Sequence, residues 1–237
     1  MCKSPLLPIL ILSLLTGCAG QGIQRKDGSS SARPFKAANL AKSDVDMVIE
    51  MHQQEVLKSL KTLTLKLYRR NPQEFRKVGL DSAESATDRI FSQLDRWADA
   101  PLRQLDWEAQ FRLAFLEGYS GDRVHAFMSA LTIMLMAAYE DKTAFYLLDE
   151  LSPQKLYNSA RNIEVAVWKL SNARQPNGAR VLISNSMDGE VQNLSFEREF
   201  GKLIAQQDVL ALIMEDKSNR SINRILQNAA TFIFLPI

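Results

Sequence analysis

VHAFMSALTIMLMAAY, running from Val124 to Tyr139, is apolar at 13 of its 16 positions. An amphipathic helix keeps a polar stripe for water, and this stretch has none, so as a helix it is buried on every side. At about 1.5 Å per residue it is about 24 Å long, short of the roughly 30 Å hydrocarbon core of a bilayer. Asp122-Arg123 stands before it and Glu140-Asp141-Lys142 after it. It therefore reads as the central helix, about residues 122–140, of a helical bundle rather than as a membrane span.

The segments around it supply what such a helix needs. Val45, Ile49, His52, Val56, Leu60, Leu63 and Leu67 recur every three or four residues, one face of a long helix that opens at Ser43 and stops at Asn71-Pro72. A second amphipathic segment covers Ser82 to Trp97, and Asp106 caps a third, Trp107 to Glu117, ended by Gly118. Ser152-Pro153 is a cap with proline at the first helical position. Leu156, Ala160, Ile163, Val167 and Leu170 follow it as a helical seam. The period fails from Asn172 to Leu194, where Pro176-Asn177-Gly178 and Asp188-Gly189 allow a small β-hairpin within 176–194. Ser195 starts a helix with Phe196, Phe200, Leu203, Leu210 and Met214 inward, and Ser218 starts a last one through Leu226. The chain closes on an apolar tail, Phe232 to Ile237. The predicted fold is all-α: residues 43–237 form a single irregular helical bundle of about six to eight helices. Ten Gly and eight Pro in 237 residues are few for a turn-rich β-sandwich, and no repeat of 20–50 residues points to a helical array.

Composition narrows function mainly by exclusion. With 46% apolar and 24% charged residues the chain is globular, and 29 basic against 27 acidic side chains create no large field. Basic pairs such as Arg69-Arg70 and Arg76-Lys77 are scattered, which argues against nucleic acid. His52 has Glu55 three residues on and His125 has Asp122 three residues before, but neither forms the Glu-x-x-His unit of di-metal bundles. Gly118-Tyr119-Ser120-Gly121-Asp122 approaches a nucleophile elbow but follows a helix, where that motif needs a strand. Glu84-Ser85 resembles the Glu-Ser pair of lytic transglycosylases, whose companion Gly-Leu-Met-Gln is absent downstream. No catalytic, cofactor-binding or metal-ligating residue is assigned. Met128, Met134 and Met136 are adaptable enough to line an apolar cavity, though core packing accounts for them as well.

The N-terminus carries the most specific signal. Lys3 precedes the ten-residue apolar run Leu6 to Leu15, too short to span a bilayer, and small residues follow. Leu15-Thr16-Gly17-Cys18 resembles the lipobox of bacterial lipoprotein precursors. The resemblance covers about the first 18 residues. It implies a signal peptide over 1–17, cleavage after Gly17 and lipidation of Cys18. Ala19 in place of the inner-membrane retention Asp implies the outer membrane, with the body facing the periplasm. Cys2 then leaves with the leader and Cys18 is consumed by lipid, so the mature chain has no thiol for a disulfide or a metal. Loss of Lys3 lowers the formal charge from +2 to +1. Residues 18–42 make a lipidated Cys and a Gly/Ser-containing tether that spans about 27 Å as a flexible coil.

Together these readings predict a non-enzymatic accessory or scaffold that binds another cell-envelope protein. The 172–194 loop and the tail, chiefly Phe232 and Phe234, are its candidate contacts. The alternatives are a carrier or sensor of an apolar ligand within the bundle, and an envelope enzyme without a recognisable motif.

Overall fold

Seven α-helices account for most of the described chain: α1 (Asp44–Arg70), α2 (Pro72–Arg76), α3 (Ala83–Phe91), α4 (Trp107–Phe115), α5 (Arg123–Ala138), α6 (Pro153–Asn172) and α7 (Ser195–Ile233). Two 3-10 segments, Leu94–Asp99 and Pro101–Gln104, join α3 to α4. The structure is a computed structural model that describes residues 23, 26, 41–187 and 189–233, with side chains as far as Arg220. The signal peptide expected over residues 1–17, Cys18 and Phe234 lie outside the described residues. Among those residues there is no β-strand, so the fold is all-α.

The helix starts follow the side chains that cap them. Ser43 and Asp46 form a reciprocal capping box, each accepting the other's backbone N–H. Asp106, Asp122 and Ser152 cap α4, α5 and α6 by accepting N–H groups of the first turn. Pro72 opens α2 immediately after Asn71 has ended α1.

α5 is the centre that its sequence requires. Fourteen of its 16 residues are buried, leaving no face for solvent. Val56, Leu60, Leu63 and Leu67 of α1 share its core cluster, together with α3, α4 and the inward residues of α6 and α7. Thr132 satisfies its hydroxyl inside the helix by donating to the Met128 carbonyl at 2.8 Å. A second cluster of Ile49, Tyr139, Phe145, Leu156, Leu210 and Met214 joins the start of α1 to α7.

The structure departs from the sequence reading at three places. α7 runs unbroken through Ser218, because that hydroxyl donates back to the Met214 carbonyl at 3.0 Å instead of capping a new helix. The second segment is divided, with α3 ending at Phe91 before the 3-10 segments. Among its described residues the 176–194 stretch forms no hairpin; its nearest approach is one isolated antiparallel bridge, Arg174 to Arg180, around a turn at Gln175–Ala179. Val181 and Leu182 are drawn into the core, and the backbone of Ile183 is occupied by Asn71. That fully buried side chain donates to the Ile183 carbonyl and accepts its N–H, both at 2.8 Å, while also donating to the Leu67 carbonyl. Asn71→Ala strands these partners and is expected to cost about 3 kcal/mol, read as a lower urea midpoint. A loss under about 1 kcal/mol would remove Asn71 as the fastener of the loop.

Candidate functional site

The densest set of titratable side chains lies at the head of α5. Tyr68 donates its hydroxyl to Asp122 Oδ2 at 2.9 Å, and Asp122 Oδ1 accepts the His125 backbone N–H at 2.8 Å. Glu74 Oε2 accepts the Arg123 backbone N–H at 2.9 Å, and both its oxygens accept from Lys77 Nζ at 2.8 Å. The Arg123 guanidinium donates to the carbonyls of Ala114 and Tyr119. Burial raises the Asp122 carboxyl, against the hydrogen bonds from His125 and Tyr68 that favour its ionised form. Burial, and then the charge of Asp122, push Tyr68 far above its ordinary range. Both oxygens of each carboxylate are thus taken up at the head of α5, Asp122 by α1 and by its own first turn and Glu74 by Arg123 and Lys77, which is the work of a cap rather than of a proton donor.

His125 makes that junction sensitive to pH. Burial, and then the charge of Arg89, lower it to about 4. Its backbone meets Asp122, and its ring lies 3.4 Å from the Ser129 hydroxyl. In the unfolded chain it titrates near 6.5. Between these values the unfolded state holds more protons, so stability rises with pH, is complete above 6.5 and is lost as pH falls toward 4. The displacement corresponds to about 3 kcal/mol. Asp122, raised on folding, has the opposite sign: its cost appears as pH rises above the ordinary carboxylate value, so it trims the gain. His125→Gln is expected to flatten the dependence of the urea midpoint between pH 4 and 6.5. An unaltered slope would assign the effect elsewhere.

The other residues marked in the sequence are placed apart from one another. His52 has its Nδ1 buried without a hydrogen-bond partner, while Glu55 faces Lys58 at 3.7 Å. No group of three or more His, Cys, Asp or Glu is spaced to hold a metal ion among the described residues. Gly118, at φ +73°, turns the chain between α4 and α5, and no strand leads to Ser120. Glu84 pairs with Arg69 at 2.7 Å, and that hydrogen bond holds its carboxyl below the usual range, the reverse of what a general acid needs. Met128 and Met136 are fully enclosed.

Met134 does reach a surface groove. With Leu131 it forms the floor between α4, which contributes Trp107 and Phe111, and α6, which contributes Asn162 and Val165. Its volume is about 210 Å³. Sites for drug-sized ligands run to roughly 300–1,000 Å³, so this groove suits one large side chain better than a lipid.

Beside the groove α6 carries a second apolar face. Ile163, Ala166 and Leu170 are buried in the bundle, yet Val165 and Trp168 are 58% and 64% exposed, and Tyr157 is 48% exposed. At 3.6 residues per turn Tyr157, Val165 and Trp168 fall within about 80° of one another around the helix. A wider depression of about 660 Å³ follows between α6 and α7, with Tyr157 and exposed Leu212 at its sides. Arg161 pairs there with Asp208 at 2.7 Å and lies 5.1 Å from the Tyr157 ring centroid. The face is thus apolar and aromatic, with its main charges already matched.

The two contact regions expected from sequence stand differently. The 172–194 loop is strapped to the end of α1 by Arg70, which pairs with Glu190 and donates to the Asn185 carbonyl. Met187, Val191 and Leu194 remain outward. Phe232 lies on the last turn of α7, where only the backbone is described. The seam Leu156, Ala160, Ile163, Val167 and Leu170 marks only the inward side of α6, and Trp168, one residue after Val167, is the sequence's sign of an outer face. No protein-family model, curated protein or solved structure matches the chain.

Proposed function

We propose that the chain is an outer-membrane lipoprotein, held by lipid on Cys18, whose helical body is a non-enzymatic adaptor for another cell-envelope protein. The observation that carries the adaptor reading is the outer face of α6: Trp168, Val165 and Tyr157 are exposed on a helix whose opposite side is core. Aromatic anchors that fill a partner's pocket, or stand beside a pocket that a partner fills, supply most of the energy of protein interfaces. The groove beside Val165 offers such a pocket. At about 210 Å³ that pocket suits a side chain better than an acyl chain, and the wider depression of about 660 Å³ beside it carries the Arg161–Asp208 ion pair. For an enzyme, the best-placed carboxylates, Glu74 and Asp122, are engaged in capping.

In-cell crosslinking followed by mild-detergent purification and mass spectrometry of proteins and lipids tests this reading. The adaptor predicts a protein partner that is recovered with the native chain and lost with Trp168→Ala, without stoichiometric lipid in the body. Stoichiometric bound lipid, unaffected by Trp168→Ala, would contradict it and favour the carrier.

A further inference from the structure

The turn between α5 and α6 holds two leucines out into solvent on a braced frame. Leu147 and Leu148, 67% and 93% exposed, are the central residues of a turn closed by the Asp149 N–H donating to the Tyr146 carbonyl at 2.8 Å. Asp149 braces it again, accepting the Tyr146 N–H at 2.8 Å and pairing with Lys142. The frame is tied into α1, since Glu50 accepts the Phe145 N–H at 3.0 Å and Gln53 donates to the Lys142 carbonyl at 2.6 Å. Phe145 and Leu151 on either side are buried. An apolar surface that covered both leucines would be favoured by their burial.

The position of the turn identifies that surface. Lys42 pairs with Glu50, the carboxylate that holds Phe145, and its ammonium lies 5.2 Å from the Tyr146 ring centroid. Lys42 is also where the chain from Cys18 enters the helical body, so the leucines stand at the root of the tether. We infer that Leu147 and Leu148 insert into the interfacial region of the phospholipid bilayer that holds the tether's far end. The inference rests on the lipoprotein reading for its geometry. A short tether raises the effective concentration of its two ends to the order of millimolar, so a weak insertion is enough. Lys42, Lys142, Lys217 and Arg220 around the turn face Glu50, Asp149, Asp46 and Asp216. With these charges matched, insertion is apolar: it is as strong on zwitterionic as on anionic vesicles and changes little with salt.

The test uses the mature chain with Cys18→Ala and an N-terminal hexahistidine, tethered to phosphatidylcholine vesicles containing a nickel-chelating lipid. An environment-sensitive dye is placed on Leu148→Cys or Val191→Cys, the only thiol in each protein. Val191 follows Glu190, which pairs with Arg70 at the far end of α1, about 30 Å along that helix from Glu50, which holds the turn. The expected result is blue-shifted emission and roughly twofold or greater quenching by spin-labelled lipid at 148 but not at 191. Leu147→Asp, at an exposed position, should return the emission of the tethered dye at 148 to its value in water and remove its quenching by spin-labelled lipid. Equal signals at 148 and 191 overturn the inference, as does a dye at 148 that stays in water on vesicles and is shielded only by another protein. Nickel tethering bypasses Cys18, so a native protein without acyl mass on Cys18 would defeat the anchor and leave the turn's result standing.

Discussion

Cys18→Ala is expected to abolish lipid labelling of the protein and to move it from the membrane fraction to the soluble fraction. Each buried methylene of an acyl chain contributes about 0.8 kcal/mol, so several chains hold a protein firmly where one holds it marginally. No described helix is long and apolar enough to cross a membrane. Two leucines at a turn strengthen a tethered contact but do not hold an untethered protein. Metabolic labelling with a fatty-acid analogue and fractionation of wild type and variant measure the change. Unchanged labelling, or labelled protein that stays with membranes after the substitution, would contradict the lipidation of Cys18.

The second large effect is expected at Trp168. Truncating an exposed aromatic anchor costs an interface about 2–4 kcal/mol, a roughly 30- to 1,000-fold loss of affinity. Trp168→Ala should therefore weaken partner binding by that factor while changing the unfolding free energy, read from urea titration, by less than about 0.5 kcal/mol, because the side chain is 64% exposed. Tyr157→Ala should do less, since its ring already lies against Arg161 and Leu212 lies in the same depression. A folded variant that binds as well as wild type would move the contact away from α6.

The architecture was readable because its determinants are local. Val124 to Tyr139 has no polar face, and a helix of that kind has only one stable environment. Ser43, Asp106, Asp122 and Ser152 mark their helix starts with side chains that serve the next turn. Ser218 misled because a serine either caps or donates back to the carbonyl four residues earlier, and tertiary packing decides which. The missing hairpin has the same origin: Val181 and Leu182 look like strand residues, but the core and Asn71, over a hundred positions away, claim them.

The candidate site was less legible. A periodic seam reveals which residues of a helix face the bundle, and says nothing about apolar residues left on the other side. Trp168 and Val165 became informative once Ile163, Ala166 and Leu170 were seen buried opposite them. Leu147 and Leu148 carry no periodic signal in the sequence, and only the Asp149 and Glu50 hydrogen bonds reveal a braced turn there.

The central claim is that the outer face of α6 meets a protein of the cell envelope. Site-specific photocrosslinking in cells tests it most directly, with the photoreactive residue placed at 168, at 165 and at Lys58, an exposed position on α1. The account predicts one discrete protein adduct shared by 165 and 168 and absent at 58. Adducts at none of these positions, or the same adducts at all three, would contradict it.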